Sequence, residues 1–246
     1  MIILDFGSGN TCKNSVEYAC TMVKALADIT DRRDDIVIKW QLFKEAGKNV
    51  PLSHEVYSRA HFYAQRYGFE TTASVFDSYS LEFALKHALR WVKLTNIEKT
   101  GHLIKEVPDL DGIIISTNDA DYKKPLRVKN DRSEIEDISM MYCISEYPAK
   151  AQDYEKKFGD KLKTGISDHT TDFSLYKKYR PKLYECHFKL DDSTGLDAGP
   201  FARTPEQLKE ILNETLSDAS QGGFKEDFRQ KHKAVSGYSD LSKGSE

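Results

Sequence analysis

The feature that most constrains this chain is an alternation of two hydrophobic periods, repeated along its length. Short β-branched runs, whose side chains alternate between faces, are followed by stretches with apolar residues at helical spacing. "IILDFG" (residues 2–7) precedes apolar positions at Val16, Ala19, Val23 and Ala27, and "IVIKWQLF" (36–43) precedes "SHEVYSRAHFYAQRYG", where Ser53 can cap a helix. The order continues with "ETTASVF" (70–76) and "LEFALKHAL", "WVKLTN" (91–96) and "HLIKEV", then "GIIIST" (112–117). After it come "MMYCIS" (140–145) and "AQDYEKKFG", "KTGISDH" (163–169) and "DFSLYKKY", and "LYECHFK" (183–189) before "TPEQLKEILNETL". Eight strands in this order make an α/β chain and fit a single (β/α)8 TIM barrel, whose catalytic residues gather where strands end. A doubly wound open sheet is the competing architecture, but no glycine fingerprint follows the first strand as a dinucleotide site requires. The expected organisation is one barrel over residues 1–220 and a polar, loose tail over 221–246. The charged connection at 118–137 is expected to carry at most a short helix.

Charge and cysteine usage narrow the partners. With 36 basic and 39 acidic residues the net charge is −3, and no long basic block marks a nucleic-acid footprint. No apolar stretch is long enough for a secretory signal or a membrane span, so a cytoplasmic protein without membrane contact is expected. Cys12, Cys20, Cys143 and Cys186 form no CxxC pair and suit reduced thiols.

Strand alternation sorts each run into an outward and an inward set. Ile38, Trp40, Tyr184, Cys186 and Phe188 read as facing the helices, and Cys143 is grouped with Cys186. Val37, Lys39, Gln41, Glu185, His187 and Lys189 read as inward, with Asp5, Ser74, Lys93, Ser116, Ser145, Ser167 and His169 near the inward strand ends. Inward polar groups are expensive unless paired or used. Lys39 and Lys93, with nearby hydroxyls, offer what a phosphate or carboxylate needs; the bland alternative is a pair of rim lysines. His169 and His187, ending the seventh and eighth strands, are placed to share one divalent ion with open positions for water and substrate. Asp168 reads as structural, and His54, His61, His87 and His102 as surface or packing residues. No GxSxG elbow or P-loop is present.

These residues carry a resemblance. "GISDHT", "YECHFKLDD" and "GLD" before "TPEQLKEI" resemble the metal and substrate loops of the N-acetylneuraminate (sialic acid) synthases. "IKWQLF", "VKLTNIE", "IISTND" and "CISEYP" resemble, in order, the Lys-x-Gln strand, the lysine strand, the Ser-Thr turn and the Cys-Thr-x-x-Tyr-Pro segment of that family. The resemblance implies a TIM barrel that condenses phosphoenolpyruvate with an N-acetyl-hexosamine-like aldose. It implies that His169 and His187 hold Mn²⁺, with Mg²⁺ or Co²⁺ as substitutes, and that Lys39, Ser74, Lys93, Asn96, Ser116, Ser145 and Ser167 cradle phosphoenolpyruvate. Gln41, Tyr147 and Asp197 would face the sugar; Asp5 and Glu98 take positions of family carboxylates. The chain departs from the pattern at Asp5, where a glutamate is usual, at Gly9-Asn10 for Asn-His, at Asn118 for glycine and at Ser145 for asparagine. The family's C-terminal antifreeze-like domain, on which its homodimers lean, has no counterpart in this sequence, so a homodimer is only an open expectation. A catalytically silent barrel that binds a sugar phosphate or a protein is the alternative, and a Schiff-base aldolase using a desolvated lysine is a third.

Overall fold

The computed structural model describes residues 1–45, 47–107, 110–123, 128–129, 134–135 and 138–218. Eight parallel strands, β1 (Ile2–Asp5), β2 (Ile36–Leu42), β3 (Glu70–Val75), β4 (Trp91–Leu94), β5 (Gly112–Thr117), β6 (Ile138–Cys143), β7 (Gly165–Asp168) and β8 (Leu183–His187), close into a barrel. Each strand pairs with its neighbours in sequence, and β8 closes the ring on β1 with Asp5 opposite His187. The expected (β/α)8 barrel is the observed fold.

Helices α1 (Val16–Ala27), α2 (His54–Arg66), α3 (Ser78–Leu85), α4 (Ile97–Thr100), α5 (Ala151–Phe158), α6 (Ser174–Tyr179) and α7 (Pro205–Asp218) lie between or after the strands. Their starts follow local chemistry: Ser15, Ser53 and Asp77 accept from the backbone N–H groups of Tyr18, Val56 and Ser80. The helix expected after β4 is a single α turn continued by a 3-10 stretch, Gly101–Glu106. In the 118–137 connection, Val128–Lys129 pairs antiparallel with Glu134–Ile135, a small strand pair where a helix was expected; the rest of that expectation lies outside the described residues. The described residues of Met1–Lys209 form one compact unit. The expected tail, 221–246, lies outside the described residues. No helix among the described residues is long and apolar enough to cross a membrane.

The barrel interior is layered by the two-residue period of its strands. At one level Ile3, Val37, Trp91, Ile114, Met141 and Leu183 form a buried apolar plug, each stabilising the fold by roughly 1.5–3 kcal/mol relative to an exposed position. Two residues further along the same strands stand Asp5, Lys39, Lys93, Ser116, Cys143 and Glu185. A pleated strand must return to the same face after two steps, so a polar layer lies directly above the plug. Outward residues meet the helices: Trp40 packs edge-on against Phe6 and Tyr57, and Phe6 stacks on Phe188 at 4.7 Å. Cys143 is a correction. With Met141 in the plug, the thiol two residues on faces the interior and not the helices, while Cys186 is buried on the outward side as expected.

Candidate active site

Above the plug, six of the inward side chains form one buried network. Lys39, 1% exposed, donates from Nζ to Asp5 Oδ2 at 2.6 Å and to Ser74 Oγ at 2.8 Å, with Glu185 Oε2 at 3.5 Å. Lys93 donates to Glu185 Oε1 at 2.6 Å and to Ser167 Oγ at 3.4 Å, and Ser167 donates to the same carboxylate oxygen at 2.8 Å. Two lysines buried in a barrel would be untenable alone; the carboxylates between them make them tolerable. Burial opposes the charge of Asp5, but Lys39, His187 and the Gly7 N–H together hold its carboxyl well below the usual carboxylate range. Burial likewise opposes ionisation of Glu185, and Lys39 and Lys93 overcome it and lower its pKa. The two lysines diverge: burial works against both, Asp5 and Glu185 raise Lys39, but Lys93 remains lowered.

The second half of the network carries the imidazoles. His169 and His187 are each 3% exposed, with ring centroids 5.4 Å apart. His169 Nδ1 lies 2.7 Å from the Ile144 carbonyl, which can only accept, so the proton is on Nδ1 and Nε2 presents its lone pair. Burial, reinforced by His187, lowers the pKa of His169 to about 3, which keeps it neutral. His187 lies between two carboxylates, with Nε2 3.6 Å from Asp5 Oδ2 and Nδ1 3.6 Å from Asp197 Oδ1. Its Nδ1 is buried without a hydrogen-bond partner among the described residues. Gln41 Nε2 donates to both carboxylates, Asp5 at 3.0 Å and Asp197 at 3.1 Å, and Ser8 Oγ donates to Asp197 at 2.9 Å. The turn after β1 makes this approach possible: Gly7 has φ +74°, and a Cβ there would lie 2.8 Å from the Asp197 Cβ and 2.2 Å from Thr11 Oγ1.

Two imidazoles, His169 fixed in the ligating tautomer and His187 with an orphaned nitrogen, fit a divalent ion. Among the described residues no group of three or more His, Cys, Asp or Glu side chains is gathered around one ion position. A metal here would therefore rest on His169 and His187, completed by oxygen atoms of water or substrate. Cys143 lies close by, its Sγ 3.8 Å from His169 Nδ1, but burial pushes the thiol up to about 11 and leaves it protonated.

The other expected site residues are less tightly gathered. Ser116 is buried, and its hydroxyl accepts from the N–H of Asn96, which has φ +55° at the start of α4. Tyr147 is 41% exposed and lies over His169 with ring centroids 4.3 Å apart, at the mouth. Glu98 is exposed and accepts from Thr117 Oγ1 at 2.7 Å, outside the lysine network. Ser145, beyond the end of β6, is exposed and lines a separate cavity of about 500 Å³ with Asn118, Glu146, Asp153, Lys156 and Lys157. Lys189 lies past β8 and donates to the carbonyls of Ala198 and Gly199. Asp168 is structural as expected, accepting from Tyr184 OH and the Thr170 N–H. Glu185 was legible as inward but not as the residue joining both lysines; Arg203 and Phe201, whose ring lies 4.9 Å from that of His187, gave no sequence signal.

The NeuB family model matches residues 21–227. No curated protein matches the chain. Among solved structures, N-acetylneuraminic acid (sialic acid) synthetase from Leptospira borgpetersenii serovar Hardjo-bovis, in complex with citrate, is similar with a TM-score of 0.67 and 17% identity, covering 90% of this chain and 85% of that one. A putative spore coat polysaccharide biosynthesis protein E from Chromobacterium violaceum has a TM-score of 0.66 and 17% identity, covering 92% and 77%. A truncated 3-deoxy-D-arabino-heptulosonate 7-phosphate synthase from Thermotoga maritima has a TM-score of 0.59 at 10% identity, covering 89% and 86%. At such identities these likenesses establish the barrel fold.

Proposed function

This chain belongs to the NeuB family, and from that premise we propose that it is a phosphoenolpyruvate-dependent sugar-acid synthase. It joins phosphoenolpyruvate to an N-acetylmannosamine-like aldose, giving a 2-keto sugar acid and inorganic phosphate. The observation that carries this reading is the buried pair Lys39 and Lys93, each hydrogen-bonded to a serine, beside the His169 and His187 imidazoles at one end of the barrel.

The chemistry balances as follows. C3 of phosphoenolpyruvate forms a bond to the aldehyde carbon, water adds at C2, and the C2–O bond to phosphate breaks as the keto group forms. Lys39 and Lys93 hold the anionic substrate through charge-assisted hydrogen bonds, while the Ser74, Ser116 and Ser167 hydroxyls orient it. Asn96 and Ser145 complete the phosphoenolpyruvate contacts in this proposal. Asp197, beside His187, accepts a proton from water or a sugar hydroxyl, Asp5, held ionised by Lys39, orients water as a hydrogen-bond acceptor, and Gln41 fixes both carboxylates. Tyr147, partly exposed over His169, covers the acceptor, and Glu98 stands at the rim. A divalent ion held by His169 and His187, Mn²⁺ foremost, supplies Lewis acidity toward a carbonyl oxygen.

Incubation with phosphoenolpyruvate, Mn²⁺ and a panel of aldoses, scored by phosphate release, tests the reading. Release with at least one aldose is expected; no release and no phosphoenolpyruvate binding would favour the silent barrel. One observation favours a second reading, a Schiff-base aldolase: burial lowers the pKa of Lys93. Borohydride trapping with pyruvate separates the two, since the carboxylate at 2.6 Å from Lys93 favours its cationic, unreactive form.

A further inference from the structure

We infer that the Arg203 side chain is a positioning group that sets the orientation of the His169 imidazole in the active site. The inference concerns the chain's own histidines and rests on the proposed site only for its metal arm. Arg203 precedes α7 and is 1% exposed, among the largest fully buried side chains of the protein. Its backbone joins it to the end of β8: its N–H donates to the His187 carbonyl at 2.7 Å, and its carbonyl accepts from the Lys189 N–H at 2.9 Å. Phe188 and Arg203 thereby form a parallel bridge, extending the sheet by one residue where the eighth strand ends. Its side chain reaches the neighbouring loop, where Nη2 donates to the Thr170 carbonyl at 2.8 Å and the Asp172 carbonyl at 2.5 Å. Thr170 follows His169 directly. The main chain thus roots residue 203 at the end of β8, and the arginine side chain pins the carbonyl next to His169.

The remaining contacts fit positioning better than stabilisation. The guanidinium lies 4.6 Å from the centre of the Phe173 ring, which fixes its plane. Nε and Nη1 are buried without hydrogen-bond partners. A buried cation with most of its N–H groups unsatisfied adds little net stability, and an apolar side chain of similar volume would avoid its desolvation. What an apolar side chain could not supply is the double donation that holds the Thr170–Asp172 loop in register with β8. The opposite side of that loop is tied by Asp168, which accepts from the Thr170 N–H and from Tyr184 OH. Thr170 is therefore held at both its N–H and its carbonyl, and His169 has little freedom to turn.

The test compares histidine ring ¹⁵N signals in wild-type, Arg203→Lys and Arg203→Met chains, with thermal unfolding and Mn²⁺ affinity alongside. Arg203→Met should displace or broaden the His169 signals, with a smaller effect at His187, whose carbonyl keeps its backbone donor, leave those of His61 and His87 in place, and keep the unfolding midpoint within a few degrees. Its Mn²⁺ affinity should fall on the order of ten-fold, as for loss of other groups that orient metal ligands. Arg203→Lys, which keeps a cation but loses the paired donation, should displace the His169 signals by less, and it decides the matter if the methionine variant does not fold. Wild-type ring signals at His169 in the folded variants would overturn the inference. So would displacement of all four histidines together with a collapsed midpoint, which marks a general structural role. A wild-type chain that takes up no Mn²⁺ would remove the metal reading, leaving the ring signals to decide Arg203.

Discussion

The barrel contains two buried histidine pairs with nearly the same spacing and opposite chemistry. His61 and His87 have ring centroids 5.2 Å apart at an interplanar angle of 79°; His169 and His187 are 5.4 Å apart at 65°. In the first pair His61 Nδ1 is 2.7 Å from Thr71 Oγ1, and His87 has Ser58 Oγ at 2.8 Å and the Phe83 carbonyl at 3.1 Å. Tyr57 and Phe83 pack against the rings, so the pair behaves as part of the apolar layer between helices and sheet. In the second pair one ring nitrogen is fixed by a carbonyl, another is orphaned, and carboxylates stand 3.6 Å from His187 on two sides. Distance alone does not distinguish a packing pair from a ligand pair. Unspent hydrogen-bonding capacity beside charge does.

Exchanging the pairs' roles by mutation gives the largest expected contrast. His187→Ala should reduce metal-dependent phosphate release by roughly a thousand-fold or more, since it removes one of the two proposed ion ligands, with little change in unfolding temperature. His61→Ala should do the reverse, lowering stability by about 2 kcal/mol through a cavity and an unpaired Thr71 hydroxyl while leaving turnover per folded molecule intact. Activity retained by His187→Ala would break the comparison. Next in size, Lys93→Ala should weaken phosphoenolpyruvate binding about ten-fold or more in calorimetry, the loss of one charge-assisted bond; an unaltered affinity would place the anion elsewhere.

Acid sharpens the contrast further. Burial lowers the pKa of His61 from 6.5 to about 4, so between those values the unfolded chain binds more protons than the folded one. Stability contributed by the neutral ring is therefore complete above about pH 6.5, falls as pH drops toward 4, and levels below it. Urea unfolding from pH 7 to 4 should show a loss of roughly 2 kcal/mol attributable to this residue, removed in His61→Gln; identical pH profiles for the two chains would show that the ring titrates freely when folded. Smallest, Ser58→Ala should cost about 1 kcal/mol by unpairing His87 Nε2 and leave phosphate release unchanged.

The barrel was legible because its strands and helices announce themselves by period, and inward residues followed wherever a strand mixes polar and apolar faces. "VIKWQ" and "YECHF" do so, which is why Lys39, Gln41, Glu185 and His187 lie where alternation puts them. "MMYCIS" is apolar on both faces, so nothing in the run separates Cys143 from its outward neighbours, and its side was misread. Alternation also stops where strands stop: Ser145, Glu98 and Lys189 lie beyond their strand ends, and loop geometry, not pleat, sets their direction. Arg203 illustrates the same limit, since nothing about a lone arginine before a helix marks a side chain that is buried and donates to the Thr170 and Asp172 carbonyls. The lysine–carboxylate pairing was hidden for a different reason, because Asp5, Lys39, Lys93 and Glu185 come from strands up to 180 residues apart in sequence that meet only when β8 closes on β1.

Pulsed EPR of Mn²⁺ added to the wild-type chain tests the His169–His187 site most directly. The expected spectrum carries nitrogen modulation from two imidazoles, reduced to one in His187→Ala and unchanged in His61→Ala. Bound Mn²⁺ without nitrogen modulation, or with the same modulation in His187→Ala as in the wild type, would contradict it.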